Sequence, residues 1–117
     1  LQMMELGFEV ENYAELYSII TGRKITWDEL LKISEKVWNL TRMISAREIK
    51  DFGRKSDYPP ARFYEEPTPS GPNKGYCFSM DELDELLDAY YEARGWDKNG
   101  IPTNKTLDSV GLKQLIK

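Results

Sequence analysis

The sequence contains no histidine, and only one of its 117 residues, Cys77, is a cysteine. The first absence removes the usual general base, the usual partner of a serine or cysteine nucleophile, and the usual switch near neutral pH. The second excludes an internal disulfide, and together they leave carboxylates as the main ligands from which a zinc site could be built. Long hydrophobic runs are also missing, since no stretch approaches the roughly 20 apolar residues that a membrane-spanning helix needs. Residues 1–10 lack the basic region of a secretory signal and carry Glu5 and Glu9, so the expected compartment is the cytoplasm. Sixteen basic residues against twenty acidic ones leave a net charge of −4. A broad positive field is therefore absent, and neither nucleic acid nor a membrane is expected as a partner.

What remains is an ordinary globular composition, 40% hydrophobic and 31% charged. A chain of this length suffices for one small domain with one core, and residues 1–117 are read as a single domain. The first clear helix is expected over residues 12–21, with Tyr13, Leu16, Tyr17 and Ile20 spaced along one face and Gly22 as its stop. The tail before it, rich in Leu and Met, has no start signal and reads as the end of an earlier element, as it would if the native polypeptide began further upstream.

The second helix carries the strongest pattern. Thr26 and Glu29 form a capping box, and Leu30, Leu31, Ser34, Val37, Trp38, Thr41 and Ile44 or Ser45 then mark one face over about five turns. Lys32, Glu35, Lys36, Asn39 and Arg42 keep the other side polar, so the apolar stripe is the face expected to pack. The pattern fades near Lys50, ahead of Gly53. A third helix is expected from Ser79, paired with Glu82 in a second capping box, along Met80, Leu83, Leu86, Leu87, Tyr90 and Tyr91 to Gly95. After a turn at Asp97, Lys98, Asn99 and Gly100, Thr103 is placed to cap a short last helix through about Val110, with Gly111 ahead of a frayed tail. No repeat and no useful strand-like alternation occurs, so the fold class is all-α: a small helical domain with one long extended arm.

That arm, residues 52–78, holds five of the six prolines together with Phe52, Tyr58, Phe63, Tyr64, Tyr76 and Phe78. Structureless connections of this length are uncommon inside compact domains, and so many rings call for a surface to lie on. Pro59 and Pro60 are suited to open a single helical turn through Tyr64.

Chemistry is harder to find. Asp81, Glu82, Asp84, Glu85 and Asp88 crowd the start of the third helix, where acidic side chains favour the helix N-terminus and solvate its outer face. Asp97, Asn99 and Gly100 faintly resemble a calcium loop, but Thr106 stands where the bidentate glutamate belongs. Cys77, with no histidine to activate it, reads as a small hydrophobe rather than a nucleophile or cluster ligand. Trp27, Trp38 and Trp96 read as core rather than a ligand cage, and Glu65 with Glu66 cannot be assigned as paired acid and base without geometry. The glycosylation patterns at Asn39 and Asn104 read as chance matches. No catalytic, cofactor-binding or metal-ligating residue is therefore assigned.

The order of the residues says more. Trp27-Asp28-Glu29-Leu30-Leu31, Glu35-Lys36-Val37-Trp38-Asn39-Leu40-Thr41-Arg42 and Ala46-Arg47-Glu48 are followed by Pro60-Ala61-Arg62-Phe63, Glu66-Pro67 and Gly71-Pro72-Asn73-Lys74-Gly75. Tyr90-Tyr91-Glu92-Ala93-Arg94-Gly95-Trp96-Asp97, Gly100-Ile101-Pro102-Thr103 and Leu107 complete the series. In this order the runs resemble the C-terminal region of the tungsten-containing aldehyde ferredoxin oxidoreductases over nearly the whole chain. The resemblance implies a cytoplasmic enzyme several-fold longer, with a tungsten bis-pterin cofactor and a [4Fe–4S] cluster, that oxidises aldehydes to acids and passes electrons to ferredoxin. It places the cluster's cysteine triplet and the active-site acid and histidine upstream of the matched region. The family's last cluster cysteine would fall at or just before Leu1, so that role is not carried to Cys77. Ile49-Lys50-Asp51 departs from the tighter family turn, and Ser34 and Lys36 stand where Gly and Arg are usual.

The resemblance thus implies a structural part of a larger enzyme, inactive and without cofactor alone. Its partners would be the enzyme's remaining domains, with ferredoxin serving the whole. The other reading is a free-standing helical interaction module whose aromatic arm is buried in a partner or in a homo-oligomer.

Overall fold

A computed structural model describes residue 7 and residues 9–115; the expected tail of an earlier element, residues 1–8, lies almost wholly outside the described residues. The chain divides into two compact units, Leu1–Leu40 and Thr41–Lys117.

In the first unit, α1 spans Val10–Thr21 and α2, Trp27–Glu48, begins. The α1 helix starts two residues before the expected Asn12 because the Asn12 side chain closes the start, its Oδ1 accepting from the Glu9 amide at 2.8 Å. Gly22 ends it in the left-handed region at φ 69°. The Thr26–Glu29 capping box forms as expected: Glu29 Oε2 accepts from the Thr26 amide at 2.8 Å, and Thr26 Oγ1 accepts from the Glu29 amide at 3.3 Å. Between the helices, Ser18 Oγ accepts from the Ile25 amide at 3.0 Å and fixes the linker.

The α2 face differs from expectation. Leu31, Val37 and Trp38, assigned to the packed stripe, are 46, 55 and 48% exposed, whereas Asn39, assigned to the polar side, is fully buried. Its Nδ2 donates to the Glu35 carbonyl at 2.9 Å and to Glu35 Oε1 at 3.3 Å, one turn earlier in the same helix, so the amide enters the interior with bonds made. A polar group whose hydrogen bonds are made is inexpensive to bury.

In the second unit, α2 ends at Glu48 and the chain turns through Asp51, the one described non-glycine residue with positive φ (59°). A 3₁₀ turn follows at Arg54–Ser56, then α3 (Arg62–Glu65), α4 (Met80–Arg94), α5 (Asn104–Ser109) and a 3₁₀ turn at Lys113–Leu115. No strand occurs among the described residues; the nearest approach is an isolated antiparallel bridge between Trp96 and Pro102. The all-α class therefore stands, and the core of this unit is Leu83, Tyr91, Trp96, Leu107 and Leu112. The start of the expected frayed tail is held, since Leu112 is buried and its amide donates to the Leu107 carbonyl at 2.7 Å. Residues 116–117 lie outside the described part.

Capping is as the sequence indicates. Ser79 and Glu82 exchange bonds of 2.7 and 3.2 Å at the start of α4, and Gly95 closes it at φ 66°. The Gly95 carbonyl then collects three donors, the Thr103 amide (3.3 Å), Thr103 Oγ1 (2.9 Å) and Thr106 Oγ1 (2.6 Å), which ties α5 to the end of α4.

The arm is more structured than an extended strap. The turn expected after Pro59 and Pro60 is α3, and the Phe78 amide donates to the Phe63 carbonyl at 3.1 Å, closing the arm on itself. Within it, the Thr68 amide donates to the Tyr76 carbonyl and the Gly75 amide to the Thr68 carbonyl, both at 2.8 Å, so residues 68–76 form a clasped loop. The rings are divided: Phe52, Tyr58, Tyr64 and Phe78 are half-buried, while Phe63 and Tyr76 are exposed.

Candidate functional site

The most highly organised chemistry in the second unit surrounds two arginines. Arg42, near the end of α2, donates from Nε to the Gly100 carbonyl at 2.7 Å and from Nη1 to Asp57 Oδ1 at 2.7 Å, with a second, shorter bond from Nη2 to Asp57 Oδ2. This is the paired fork geometry that makes arginine–carboxylate contacts strong and directional. The guanidinium carbon lies 4.4 Å from the Phe52 ring centre and 4.8 Å from that of Trp96, so both rings add cation–π attraction. Tyr91 completes the set, its hydroxyl donating to Asp57 Oδ2 at 2.5 Å. The side chains of Arg42 and Asp57 are 11 and 21% exposed, so the pair is largely withdrawn from water.

Arg54 organises a second network. Its Nη2 donates to the Asp84 carbonyl at 2.9 Å and to Asp84 Oδ1 at 2.7 Å, and Nη1 donates to Asp88 Oδ1 at 2.5 Å. The Tyr58 hydroxyl donates to the same Asp84 oxygen, and the Arg54 guanidinium carbon lies 5.5 Å from the Tyr91 ring centre. The two networks thus hold the start of the arm against α4 and the Asp97–Gly100 turn.

The electrostatics follow from these contacts. Burial acts to raise the Asp57 carboxyl, but the bonds from Arg42 and Tyr91 outweigh it and hold the group below the ordinary carboxylate range. The Tyr58 hydroxyl, then Arg54, hold Asp84 low in the same way. Burial first, and then the Asp57 carboxylate, push the Tyr91 phenol well above its ordinary value. These shifts keep the two carboxyls ionised and the phenol protonated, the states that the bonds require. None of them creates a base or acid poised near neutrality.

The residues weighed as chemical candidates are dispersed. Asp84 and Asp88 meet at Arg54, whereas Glu82 serves the α4 cap. Asp97 Oδ1 accepts from the amides of Asn99 (2.8 Å) and Ile101 (3.0 Å), so it holds the turn. Cys77 is half-buried in the wall of a hollow of about 380 Å³ lined also by Arg62, Phe63, Pro67, Tyr76 and Phe78. Among the described residues no three His, Cys, Asp or Glu side chains gather in a way that could hold a metal ion. A four-iron cluster is held by several cysteine thiolates, and with one cysteine this chain does not fit that group. Nor is any helix among the described residues long and apolar enough to cross a membrane.

Sequence reasoning missed both arginine networks. Arg42 stood on a helix face read as solvated, Asp57 lay in an arm read as extended, and Tyr91 counted only as an apolar ring. The available signal was the run of Arg54, Asp57 and Tyr58 beside Gly53, where charges cluster in a segment that otherwise looks like a spacer.

Comparison with known proteins bears on the same residues. The family model for "Aldehyde ferredoxin oxidoreductase, domains 2 & 3" matches residues 2–112. The tungsten-containing aldehyde ferredoxin oxidoreductase of Pyrococcus horikoshii is 34% identical over 110 residues, covering 94% of this chain and 18% of that protein. That of Pyrococcus furiosus is 35% identical over 108 residues, covering 92% and 17%. The WOR-like subunit of an aliphatic sulfonate oxidoreductase from Pyrococcus furiosus is 33% identical, covering 91% and 17%. Among solved structures, the active site complex BamBC of benzoyl coenzyme A reductase, in complex with 1,5-dienoyl-CoA, superposes with a TM-score of 0.71 at 28% identity, covering 92% of this chain and 14% of that one. The chain therefore spans less than a fifth of the length of the relatives it matches. With the family model matched from residue 2 to residue 112, and a third of the positions identical to those of tungsten-containing members, the chain belongs to the aldehyde ferredoxin oxidoreductase family.

Proposed function

We propose that this chain serves as a C-terminal structural part of a tungsten-containing aldehyde or formaldehyde ferredoxin oxidoreductase and has no oxidoreductase activity alone. The observation that carries this reading is the coverage: nearly the whole chain aligns, yet with only 17–18% of each relative. The chemistry agrees, because the most organised charged groups here are arginine–carboxylate locks and the single cysteine cannot hold a cluster. In the full enzyme the tungsten pterin and iron–sulfur cluster supply the two-electron oxidation of an aldehyde to an acid, with ferredoxin as acceptor in the cytoplasm. This chain's own residues hold the α4–α5 region rigid beside the remaining domains, which are its partners.

The test is elemental analysis of the purified chain together with aldehyde-dependent dye reduction. Neither tungsten nor iron in stoichiometric amount and no activity are expected. Stoichiometric metal with turnover would overturn the proposal.

A second reading, a free-standing interaction module, is favoured by one observation, the exposure of Phe63 and Tyr76 on the arm. Large apolar patches seldom remain uncovered on monomers. A homodimer in sedimentation equilibrium that dissociates on Phe63→Ser would support it; a monomer at all concentrations would argue against it.

A further inference from the structure

The turn at Asp97, Lys98, Asn99 and Gly100 contains an Asn-Gly pair, the sequence most prone to spontaneous deamidation because glycine leaves its amide nitrogen open to attack the asparagine side chain. Here that nitrogen is engaged: the Gly100 amide donates to the Asp97 carbonyl at 2.8 Å. The residue on either side of the nitrogen is fixed too. The Asn99 amide donates to Asp97 Oδ1 at 2.8 Å, and the Gly100 carbonyl accepts from Arg42 Nε at 2.7 Å. Gly100 is buried, and a Cβ at this position would stand 2.5 Å from Arg42 Nη2 and 2.8 Å from the Tyr91 hydroxyl oxygen, so the backbone has little room to swing. The Asn99 side chain, by contrast, is exposed to solvent.

We infer that Asn99 is a latent site of deamidation that the Arg42–Asp57 lock keeps closed. When the lock opens, the deprotonated Gly100 nitrogen attacks Asn99 Cγ. The N–Cγ bond forms, the Cγ–Nδ2 bond breaks, and ammonia leaves with the proton, giving a succinimide. Water then cleaves one of the two imide C–N bonds to give aspartate or isoaspartate. Nothing is oxidised or reduced, and water is the only co-reactant. The product carries a new negative charge, and in the isoaspartate form an extra backbone carbon, inside a turn bonded to Asp97 and Arg42.

The experiment incubates the full chain at neutral pH and follows residue 99 by peptide mass and isoaspartate content. The folded chain is expected to react at least about tenfold more slowly than the same chain in urea, since attack needs the turn to open locally. Asp57→Asn, which removes the charge that holds Arg42, is expected to raise the rate in the folded state severalfold. Arg42→Lys serves as the second variant if Asp57→Asn fails to fold. Ser79→Ala, which weakens a distant cap, is compared in wild-type and variant chains brought to equal global stability with urea. Equal rates in folded and unfolded wild type would overturn the inference. So would acceleration by Ser79→Ala equal to that of Asp57→Asn, because general unfolding would then explain the effect.

Discussion

Arg42 and Asp57 bind each other through two N–H···O bonds, and the same guanidinium donates to the Gly100 carbonyl 58 positions further along the chain. One side chain therefore joins the end of α2, the root of the arm and the turn after α4. Arg42→Ala would leave a largely buried carboxylate with only its Tyr91 donor, deprive the Gly100 carbonyl of the Arg42 bond and remove two ring contacts. The expected loss is about 3 kcal/mol, the scale for breaking a buried ion pair by removing one partner. Arg42→Lys should recover only part of it, because an ammonium cannot reproduce the fork. Urea denaturation of both variants measures the difference.

Acid should weaken the fold through Asp57 and Asp84. Both carboxyls are held below their ordinary values in the folded state. Their contribution is complete above the unfolded value of roughly 4 and is lost as pH falls through the lower folded values. The urea midpoint is thus expected to be flat near neutrality and to fall below about pH 4. In Asp84→Asn the fall should be shallower, and an unchanged slope would show that Asp84 does not contribute.

At the alkaline end the sign reverses. The Tyr91 phenol is raised in the folded state, so its contribution is present below the unfolded value of roughly 10 and is lost as pH rises through the folded value. In an alkaline titration the ordinary phenolate step is expected to have the same height in wild type as in Tyr91→Phe, because Tyr91 ionises only beyond it. An ordinary step larger by one tyrosine in wild type than in Tyr91→Phe would contradict the bond to Asp57.

Gly95 is constrained twice. It sits at φ 66°, and a Cβ would lie 2.4 Å from Thr106 Oγ1. Gly95→Ala should cost about 2 kcal/mol or more, combining the left-handed penalty with displacement of Thr106. Gly95→Ala with Thr106→Ala should relieve the clash and retain the conformational part, a coupling that a double-mutant cycle reads directly.

The local grammar of this chain was legible. Ser79 with Glu82, Thr26 with Glu29, Thr103, Gly22 and Gly95 all mark helix ends where the sequence indicates, because capping involves neighbours only a few residues apart. The direction in which α2 faces was not legible. Periodicity separates an apolar from a polar side but does not say which one the fold covers, and polar residues can be withdrawn from water when they are bonded, as Asn39 is to Glu35 one turn back and Arg42 is to Asp57 and Gly100. The arginine networks escaped for a related reason: Arg42, Asp57 and Gly100 are far apart in sequence, and pairing at that range is decided by the tertiary structure. Family membership was legible from the order of the motifs. The site itself offered little to read, since the chain's chemistry is largely spent on holding itself together.

The three-way lock at Arg42 also bears on time. Helix caps close within a turn and can form early, but the Arg42–Gly100 bond must wait until a loop of 58 positions has closed. Interactions absent from the folding transition state act on the unfolding rate rather than the folding rate. Replacing Arg42 is therefore expected to raise the unfolding rate more than it lowers the folding rate, a split that stopped-flow measurements in urea would read, and equal changes in both rates would contradict it.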